Sequence, residues 1–436
     1  MGPMSLLYRS VQSTLRLFTP VLGRGRSKVA RGLVGRRQAH RRLVGWGIQH
    51  RDPARPCMWF HAPSVGEGLQ ALAVMEALHS ARPEMQFVFT HFSPSAEALA
   101  ARMPAAVADY LPWDLPSPIR ATLDAVRPDL VVFTKTEAWP VLVAEAARRA
   151  IPTVLVGGSL PPGAGRARWP ARPLLRPTWS RLSLVGAIDA EDARGFASLG
   201  VPPDVIHVTG DPGIDSAASR AGAADPDASY LEPFHRATLP TVVAGSTWPA
   251  DEEVLLPALR DTRARIEAMR VVVAPHEPTP RHVDELVRRL GAGGWRPATL
   301  SEVERSGLEG RDAVVVDRVG VLAHLYTVAT VAYVGGGFHD AGLHSVLEPA
   351  AAGVPVAIGP RHRNARAAAD LVRVGGARVG TDRASLADIF TTWLLDPRQR
   401  DYAATAARGY IERHAGAADR SARLLLSLLE STPGPA

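Results

Sequence analysis

Short apolar runs alternating with stretches of helical period, and doing so twice, constrain this chain more than any other feature. The runs fall at 58–62, 86–90, 130–134, 153–157, 184–187 and 207–210, with helical stretches such as 66–81 and 95–103 between them. The alternation restarts at 241–245, 270–274, 313–317, 331–334 and 354–358. Apolar runs without polar alternation are those of strands covered on both faces, and strand–helix alternation builds parallel sheets.

At 436 residues the chain is too long for one ordinary core and suits two. Between the two series, 216–240 is poor in large apolar residues and rich in Ala, Asp and Pro, which reads as a linker. The expected organisation is α/β: a Rossmann-like domain at 51–215, the linker at 216–240, and a second Rossmann-like domain at 241–436. Their parallel sheets are expected to face a central cleft. Ligands in such sheets bind beyond the carboxyl ends of strands, so the informative residues should follow the apolar runs.

A composition of 46% hydrophobic and 21% charged residues is that of a packed globular chain. The formal charge of +7 is carried almost wholly by arginine, Lys28 and Lys135 being the only lysines. Residues 1–50 contain no Asp or Glu but hold Arg9, Arg16, Arg24, Arg26, Arg31, Arg36, Arg37, Arg41 and Arg42. Leu7, Val11, Leu15, Phe18 and Leu22 recur there at helical spacing, which predicts an amphipathic helix drawn to an anionic membrane surface. The alternative is a first helix packed on the body of the protein. The body lacks a basic stripe interleaved with stacking aromatics, so a nucleic-acid partner is not expected. A lone Cys57 excludes an internal disulfide and a cysteine zinc cluster. No apolar run of about 18 residues and no secretory h-region is present, which predicts a cytoplasmic location.

The loops after the strands carry the chemistry. His61-Ala62-Pro63-Ser64-Val65-Gly66-Glu67-Gly68 leads from a strand into a helix, with Glu67 in its first turn. Thr90 to Ser95 and Tyr110 to Asp114 follow, and then Lys135-Thr136-Glu137-Ala138-Trp139-Pro140. In the second half come Gly245-Ser246-Thr247-Trp248-Pro249, Ala274-Pro275-His276-Glu277-Pro278, Asp317 with Gly320, and Gly335-Gly336-Gly337-Phe338. Gly342-Leu343-His344-Ser345-Val346-Leu347-Glu348-Pro349 and Asn364 complete the set. Taken singly, each has a plain structural reading: an acid at a helix start complements the dipole, Ser and Thr cap helices, and glycines make turns. Glycines after a strand also permit close approach of a phosphate or sugar.

Taken in order, these segments resemble the bacterial 3-deoxy-D-manno-octulosonic acid (Kdo) transferases of glycosyltransferase family 30. The resemblance runs from about Met58 to the C-terminus and implies the GT-B fold. It implies an inverting glycosyltransferase, without cofactor or metal, moving Kdo from CMP-Kdo to a lipid A precursor (lipid IVA) at the cytoplasmic face of the inner membrane. It assigns Glu67 as catalytic base. Ser64, Gly66, Ser95, Lys135, Glu137 and Trp139 fall on the acceptor side or frame it. Ser246, Thr247, Pro275, His276, Gly320, Gly336, Gly337, His344, Ser345, Glu348 and Asn364 fall on the CMP side. The chain departs from the family pattern at several points. Lys135 stands for a usual Glu, His276 for Arg, with Arg281 a turn away, and Ser345 for Asn. Gly157-Gly158-Ser159 stands for Asn-Ala-Arg, and Gly210-Asp211-Pro212-Gly213 for Gly-Asn-x-Lys. A different GT-B transferase or epimerase using a UDP- or GDP-sugar is the alternative.

Overall fold

The computed structural model describes residues 3–22, 27–160, 165, 171–236, 239–266 and 268–431. Two compact units form, Met1–Ser216 with Ala415–Ala436, and Ala217–His414. The first contains β1 (Cys57–Ala62), β2 (Gln86–His91), β3 (Val107–Tyr110), β4 (Leu130–Thr134), β5 (Thr153–Gly158), β6 (Leu184–Ala187) and β7 (Ile206–Val208). They pair in parallel in the order β3-β2-β1-β4-β5-β6-β7.

The second unit contains β8 (Thr241–Thr247), β9 (Arg270–Pro275), β10 (Pro297–Thr299), β11 (Ala313–Val315), β12 (Val331–Val334), β13 (Val356–Ile358) and β14 (Ala377–Val379). Their order is β10-β11-β9-β8-β12-β13-β14, again all parallel. Each sheet reverses direction beside its first strand, between β1 and β4 and between β8 and β12. Such a switch point opens a crevice at the carboxyl ends, because the flanking connections leave on opposite faces.

Strand pleating distributes the core. Along β1, Trp59 enters one apolar cluster with Val88, Ile119 and Phe133, while Met58 and Phe60 enter another with Val74, Phe87 and Phe89. In the second unit Val271 and Val273 face one cluster and Val272 the other. β1, β2, β4, β5, β8, β9 and β12 are buried almost throughout, which explains their unbroken apolar runs. The runs overlooked by periodicity, β3, β10 and β14, have three or four residues and lie at sheet edges. Edge strands are half exposed, so their sequences carry less apolar signal.

The units are drawn differently from the expected boundaries. Helix Ala417–Ser431 joins the first unit, where Ala418, Ala422 and Leu425 pack with Ala71, Val74 and Leu78 of helix Val65–Ala81. The stretch 216–240 is not a bare linker: helix Pro212–Gly222 enters it and helix Glu232–Arg236 lies within it. Leu231 and Phe234 are buried in the second unit's core. Residues 237 and 238 lie outside the described residues.

The segment 1–50 divides. Helix Lys28–His50 is built into the first unit: Ala30, Ala39 and Leu43 are buried, and the helix packs on helix Pro116–Val126. Arg36, expected to seek an anionic surface, is buried. Its Nε and Nη2 donate to the carbonyls of Leu111 and Pro112, both at 3.1 Å. Its guanidinium sits 4.5 Å from the Trp113 ring centroid and 5.3 Å from that of Trp139. Burial lowers the Arg36 pKa to about 10, with nearby Asp114 opposing that shift. Helix Pro3–Leu22 anchors through Tyr8, whose hydroxyl donates to Asp114 Oδ2 at 2.8 Å, while Val11, Leu15, Leu17 and Phe18 are exposed. Arg24 and Arg26, and the side chains of Leu7 and Leu22, lie outside the described residues. Among those described, no helix is long and apolar enough to cross a membrane.

Asp114 is fully buried and also accepts the amides of Val141 at 3.0 Å and Leu142 at 2.9 Å, at the start of helix Pro140–Ala147. Replacing it by Ala strands two buried amides and the half-buried Tyr8 hydroxyl, each buried donor costing about 1–3 kcal/mol when unpaired. Asp114→Ala is therefore expected to lower unfolding free energy by about 3 kcal/mol or more, read from a denaturant titration. An unchanged midpoint would contradict this role.

Candidate functional site

In the first unit the switch point brings together the loops after β1 and β4. Glu67 stands in the first turn of helix Val65–Ala81 with its side chain 13% exposed. Lys135 Nζ donates to Glu67 Oε1 at 2.8 Å, and the Ser64 hydroxyl donates to Oε2. Burial opposes ionisation of Glu67, but the Lys135 ammonium and the two hydrogen bonds outweigh it and hold the carboxyl below its usual range. Glu67 is thus a carboxylate at neutral pH. Lys135 adopts a left-handed backbone, φ 61°, uncommon for a side chain of this size. Its amide donates to Val156 O at 3.0 Å and its carbonyl accepts from Ser159 N at 3.3 Å, so β5 pins the loop.

Trp139 closes this loop. Its Nε1 donates to His61 Nε2 at 2.9 Å, and its ring lies 5.6 Å from that of Phe92. His61 Nδ1 lies 3.1 Å from Thr90 Oγ1; with Nε2 accepting, Nδ1 carries the proton. Burial, with Arg36 nearby, lowers the His61 pKa to about 3, so the ring is neutral and serves to orient the indole. Gly66 has open space about its Cα, and Glu137 is half-buried with its amide on Thr134 O at 3.4 Å. Ser95 sits in the turn after β2, its hydroxyl 2.9 Å from that of Ser93. Two departures from the family pattern meet here. Gly157, φ 58°, lies close to Pro212 and Gln70, and Gln70 Nε2 donates to Asp211 Oδ1 at 2.7 Å.

In the second unit the switch point joins the loops after β8, β9 and β12. Ser246 is left-handed, φ 54°, and sits at a register shift between β8 and β9. Gly336 has φ 94°, and Gly337 packs against Gly359, where a Cβ would meet backbone at 2.5 Å. The sequence pattern offered this glycine turn as an anion cradle; in the structure the amides of Gly336 and Phe338 are committed within the protein. Fully buried Asp251 accepts from Gly336 N at 2.8 Å, Phe338 N at 3.1 Å, the Tyr333 hydroxyl at 2.9 Å and Trp248 N at 2.9 Å. The glycine turn is braced by a carboxylate, a role that the bare acidic cluster in the sequence did not disclose.

The open side of this crevice carries a stack of rings. Trp248 lies 4.2 Å from His339 at 5° and 4.6 Å from His276 at 24°; His276 lies 4.4 Å from His344. Trp248 Nε1 donates to His344 Nε2 at 2.9 Å. Burial, then the neighbouring His276, lowers the His344 pKa to about 4. His339 had no signal in the sequence beyond following the glycine turn. Thr247 Oγ1 donates to Glu252 Oε1 at 3.0 Å, and Pro275 ends β9. Ser345 Oγ accepts from Leu347 N at 3.3 Å, ahead of helix Leu347–Ala351. Glu348 in that helix pairs with Arg220 at 2.5 Å. Asn364 fastens Leu343, accepting from its amide at 3.0 Å and donating to its carbonyl at 2.9 Å, and Gly320 lies in the exposed turn after β11 with φ 93°. Among the described residues no cluster of His, Cys, Asp or Glu is arranged to hold a metal ion.

Two doubly wound parallel sheets, each with its polar residues at the switch point, define an α/β protein of the GT-B architecture. The UDP-GlcNAc 2-epimerase of Neisseria meningitidis, solved with UDP-GlcNAc bound, shares this fold: TM-score 0.61, 16% identity, 86% of this chain and 100% of that one. Sequence shows a narrower likeness within that architecture. The model of the 3-deoxy-D-manno-octulosonic-acid transferase (kdotransferase) family matches residues 37–216. The chain is 29% identical over 359 residues, 79% of each protein, to the 3-deoxy-D-manno-octulosonic acid transferase of Chlamydophila psittaci. It is 28% identical over 396 residues, 86% of this chain and 88% of the other, to that of Bordetella pertussis. The chain therefore resembles the Kdo transferases along most of its length, as its motifs do.

The Lys135 ammonium is a main reason that the Glu67 carboxyl is held low. Lys135→Met is expected to raise the Glu67 pKa, since removing the ammonium leaves burial less opposed. A carboxyl-detected NMR titration of selectively labelled protein would read the shift; a pKa unmoved or lowered would show that the ion pair does not set the charge state.

Proposed function

We propose that this protein is an inverting glycosyltransferase that moves Kdo from CMP-Kdo to a lipid A precursor, lipid IVA, in lipopolysaccharide assembly. The observation that carries the reading is Glu67: an ionised carboxylate at the first-unit switch point, in a chain that resembles Kdo transferases. In this reading the acceptor sugar's hydroxyl displaces Lys135 or Ser64 as a hydrogen-bond partner of Glu67. The Glu67 carboxylate takes the hydroxyl proton as the oxygen attacks the anomeric carbon of Kdo. The bond from that carbon to the phosphate oxygen breaks, and CMP leaves with its electron pair. Attack opposite the leaving group inverts the centre. Ser246, Thr247, Pro275, His276, Gly320, Gly336, Gly337, His344, Ser345, Glu348 and Asn364 belong to the donor side in this reading. The committed contacts of Gly336, Thr247 and Asn364 give those residues a framing role.

The acceptor is a lipid, and the N-terminal helices suit a membrane surface. Helix Pro3–Leu22 exposes Val11, Leu15, Leu17 and Phe18, and helix Lys28–His50 exposes Val29, Val34 and Ile48. Arg16, Arg37, His40 and Arg41 line a cavity between them of about 530 Å³ without a carboxylate. Apolar insertion and attraction to anionic headgroups would act together, on the cytoplasmic face of the inner membrane where a nucleotide-activated donor is available.

Incubating the protein with CMP-Kdo made in situ and lipid IVA tests the reading, with products resolved by mass. A Kdo-sized gain is expected with wild type. Glu67→Gln is expected to reduce turnover by about 10²–10⁴-fold while CMP still binds. Transfer from a UDP- or GDP-sugar instead would establish the alternative donor. A Glu67→Gln variant as fast as wild type would remove Glu67 from the chemistry.

A further inference from the structure

The cavity of about 530 Å³ between helix Pro3–Leu22 and helix Lys28–His50 has Trp113 and Leu115, from the loop after β3, in its wall. Its volume lies within the roughly 300–1,000 Å³ of small-ligand sites. Arg37 and Arg41 stand four residues apart on the second helix, hence on one face, and Arg16 lines the same cavity from the first. His40 lies among them. Its pKa is lowered by burial and then by the charges of Arg16 and Arg41, so both guanidiniums are within electrostatic reach of one ring. Like charges gathered in this way oppose one another unless a counter-charge joins them.

The fold provides no such counter-charge. Residues 1–50 contain no Asp or Glu, and among the described residues no carboxylate lines the cavity. Acids on the elements packed against helix Lys28–His50 are engaged elsewhere: Glu97 with Arg31 at 2.8 Å, Asp109 with Arg42 at 2.6 Å and Asp124 with Arg149 at 2.7 Å. Fully buried Asp114 accepts from the Tyr8 hydroxyl and from the amides of Val141 and Leu142.

Hydrogen bonding has the same sense as charge. The Trp113 Nε1 is buried with no acceptor among the described residues, the arginines are donors only, and Ser13 and Gln38 can each donate as well. A surplus of donors is satisfied by an anion that offers several oxygens.

We propose that this cavity seats a phosphate monoester carried by a membrane lipid, with Arg16, Arg37 and Arg41 as its charged contacts. The inference rests on the membrane reading given above and deepens it, turning a diffuse attraction into a built site. A monoester carries up to two negative charges on three terminal oxygens, where a diester carries one charge on two, and it better matches a group of guanidiniums. The rim of the cavity argues for a lipid. Leu17 lines it and is 75% exposed, and Val11, Leu15, Phe18 and Val34 are exposed on the same two helices. A phosphate held there has apolar side chains beside it that enter the bilayer of its own lipid.

Flotation of the full-length protein with vesicles of neutral lipid containing either phosphatidic acid, a monoester, or phosphatidylglycerol, a diester, tests the site. The mole fractions are set to give equal zeta potential, so that diffuse attraction is the same for both. The expected result is binding to both, with partitioning onto phosphatidic acid about tenfold stronger. Arg37→Gln combined with Arg41→Gln is expected to remove that preference while binding to phosphatidylglycerol falls less. Arg16→Gln, on the other helix, is expected to reduce the preference in the same sense. All three side chains are exposed, and thermal midpoints check that the variants fold. Soluble glycerol 3-phosphate, at the concentration of the phosphatidic acid, is expected to leave the preference unchanged.

Equal partitioning of the wild type at matched charge, or a preference kept by both variants, would overturn the proposal and leave the membrane reading intact. Loss of the preference to glycerol 3-phosphate would make the ligand a soluble phosphate and overturn its assignment to a lipid. Binding of folded protein to neither vesicle would overturn the membrane reading together with the proposal. None of these outcomes depends on the sugar donor, so the transfer assay stands apart from them.

Discussion

Burying the central strands on both faces is the constraint on which the rest of the structure depends. A parallel strand flanked by helices above and below has no solvated side, so β1, β4, β8 and β12 consist of Val, Phe, Trp, Ala, Tyr and similar residues. Polar side chains are displaced to the strand ends, and the reversal of strand order beside β1 and β8 parts the loops there. Polar side chains concentrate at two groups of short loops because the fold leaves little other room for them near the sheet.

The two switch points are braced in the same manner, by a buried carboxylate that organises backbone amides. Asp114 holds the start of helix Pro140–Ala147, and so the loop that carries Lys135 and Trp139; Asp251 holds the glycine turn after β12. A buried carboxylate is costly unless its oxygens are satisfied, and each of these receives at least three donors. The positive backbone angles at Lys135 and Ser246 fall in the same loops. Strain is tolerated there because neighbouring strands fix the backbone on both sides. Tyr8 extends the first brace to the N-terminal helix, so a segment that reads as a surface appendage also contributes to the framework of the first-unit loops.

Much of this was legible in the residues. The strong apolar runs became the central strands, and the Glu67, Lys135 and His276 loops fell at strand ends as the alternation predicts. The edge strands β3, β10 and β14 were not legible, because a half-exposed run of three or four residues has no distinctive period. The burial of Arg36 was not legible either. An arginine among arginines looks solvated until Leu111 and Pro112 offer carbonyls and Trp113 offers a ring face, contacts some 75 residues distant in sequence.

The sequence by itself determined the α/β class, the number of halves and the loops that carry polar chemistry, because these depend on local period and on residues adjacent in the chain. Only the tertiary structure decided which partners those residues have. It set Lys135 against Glu67, turned the glycine amides onto Asp251, gathered His276, His339 and His344 around Trp248, and returned the last helix to the first unit. Hydrogen bonds, ion pairs and ring stacks act over a few ångströms of space. Residues far apart in the chain meet at that range only once the sheets have set the register of their ends.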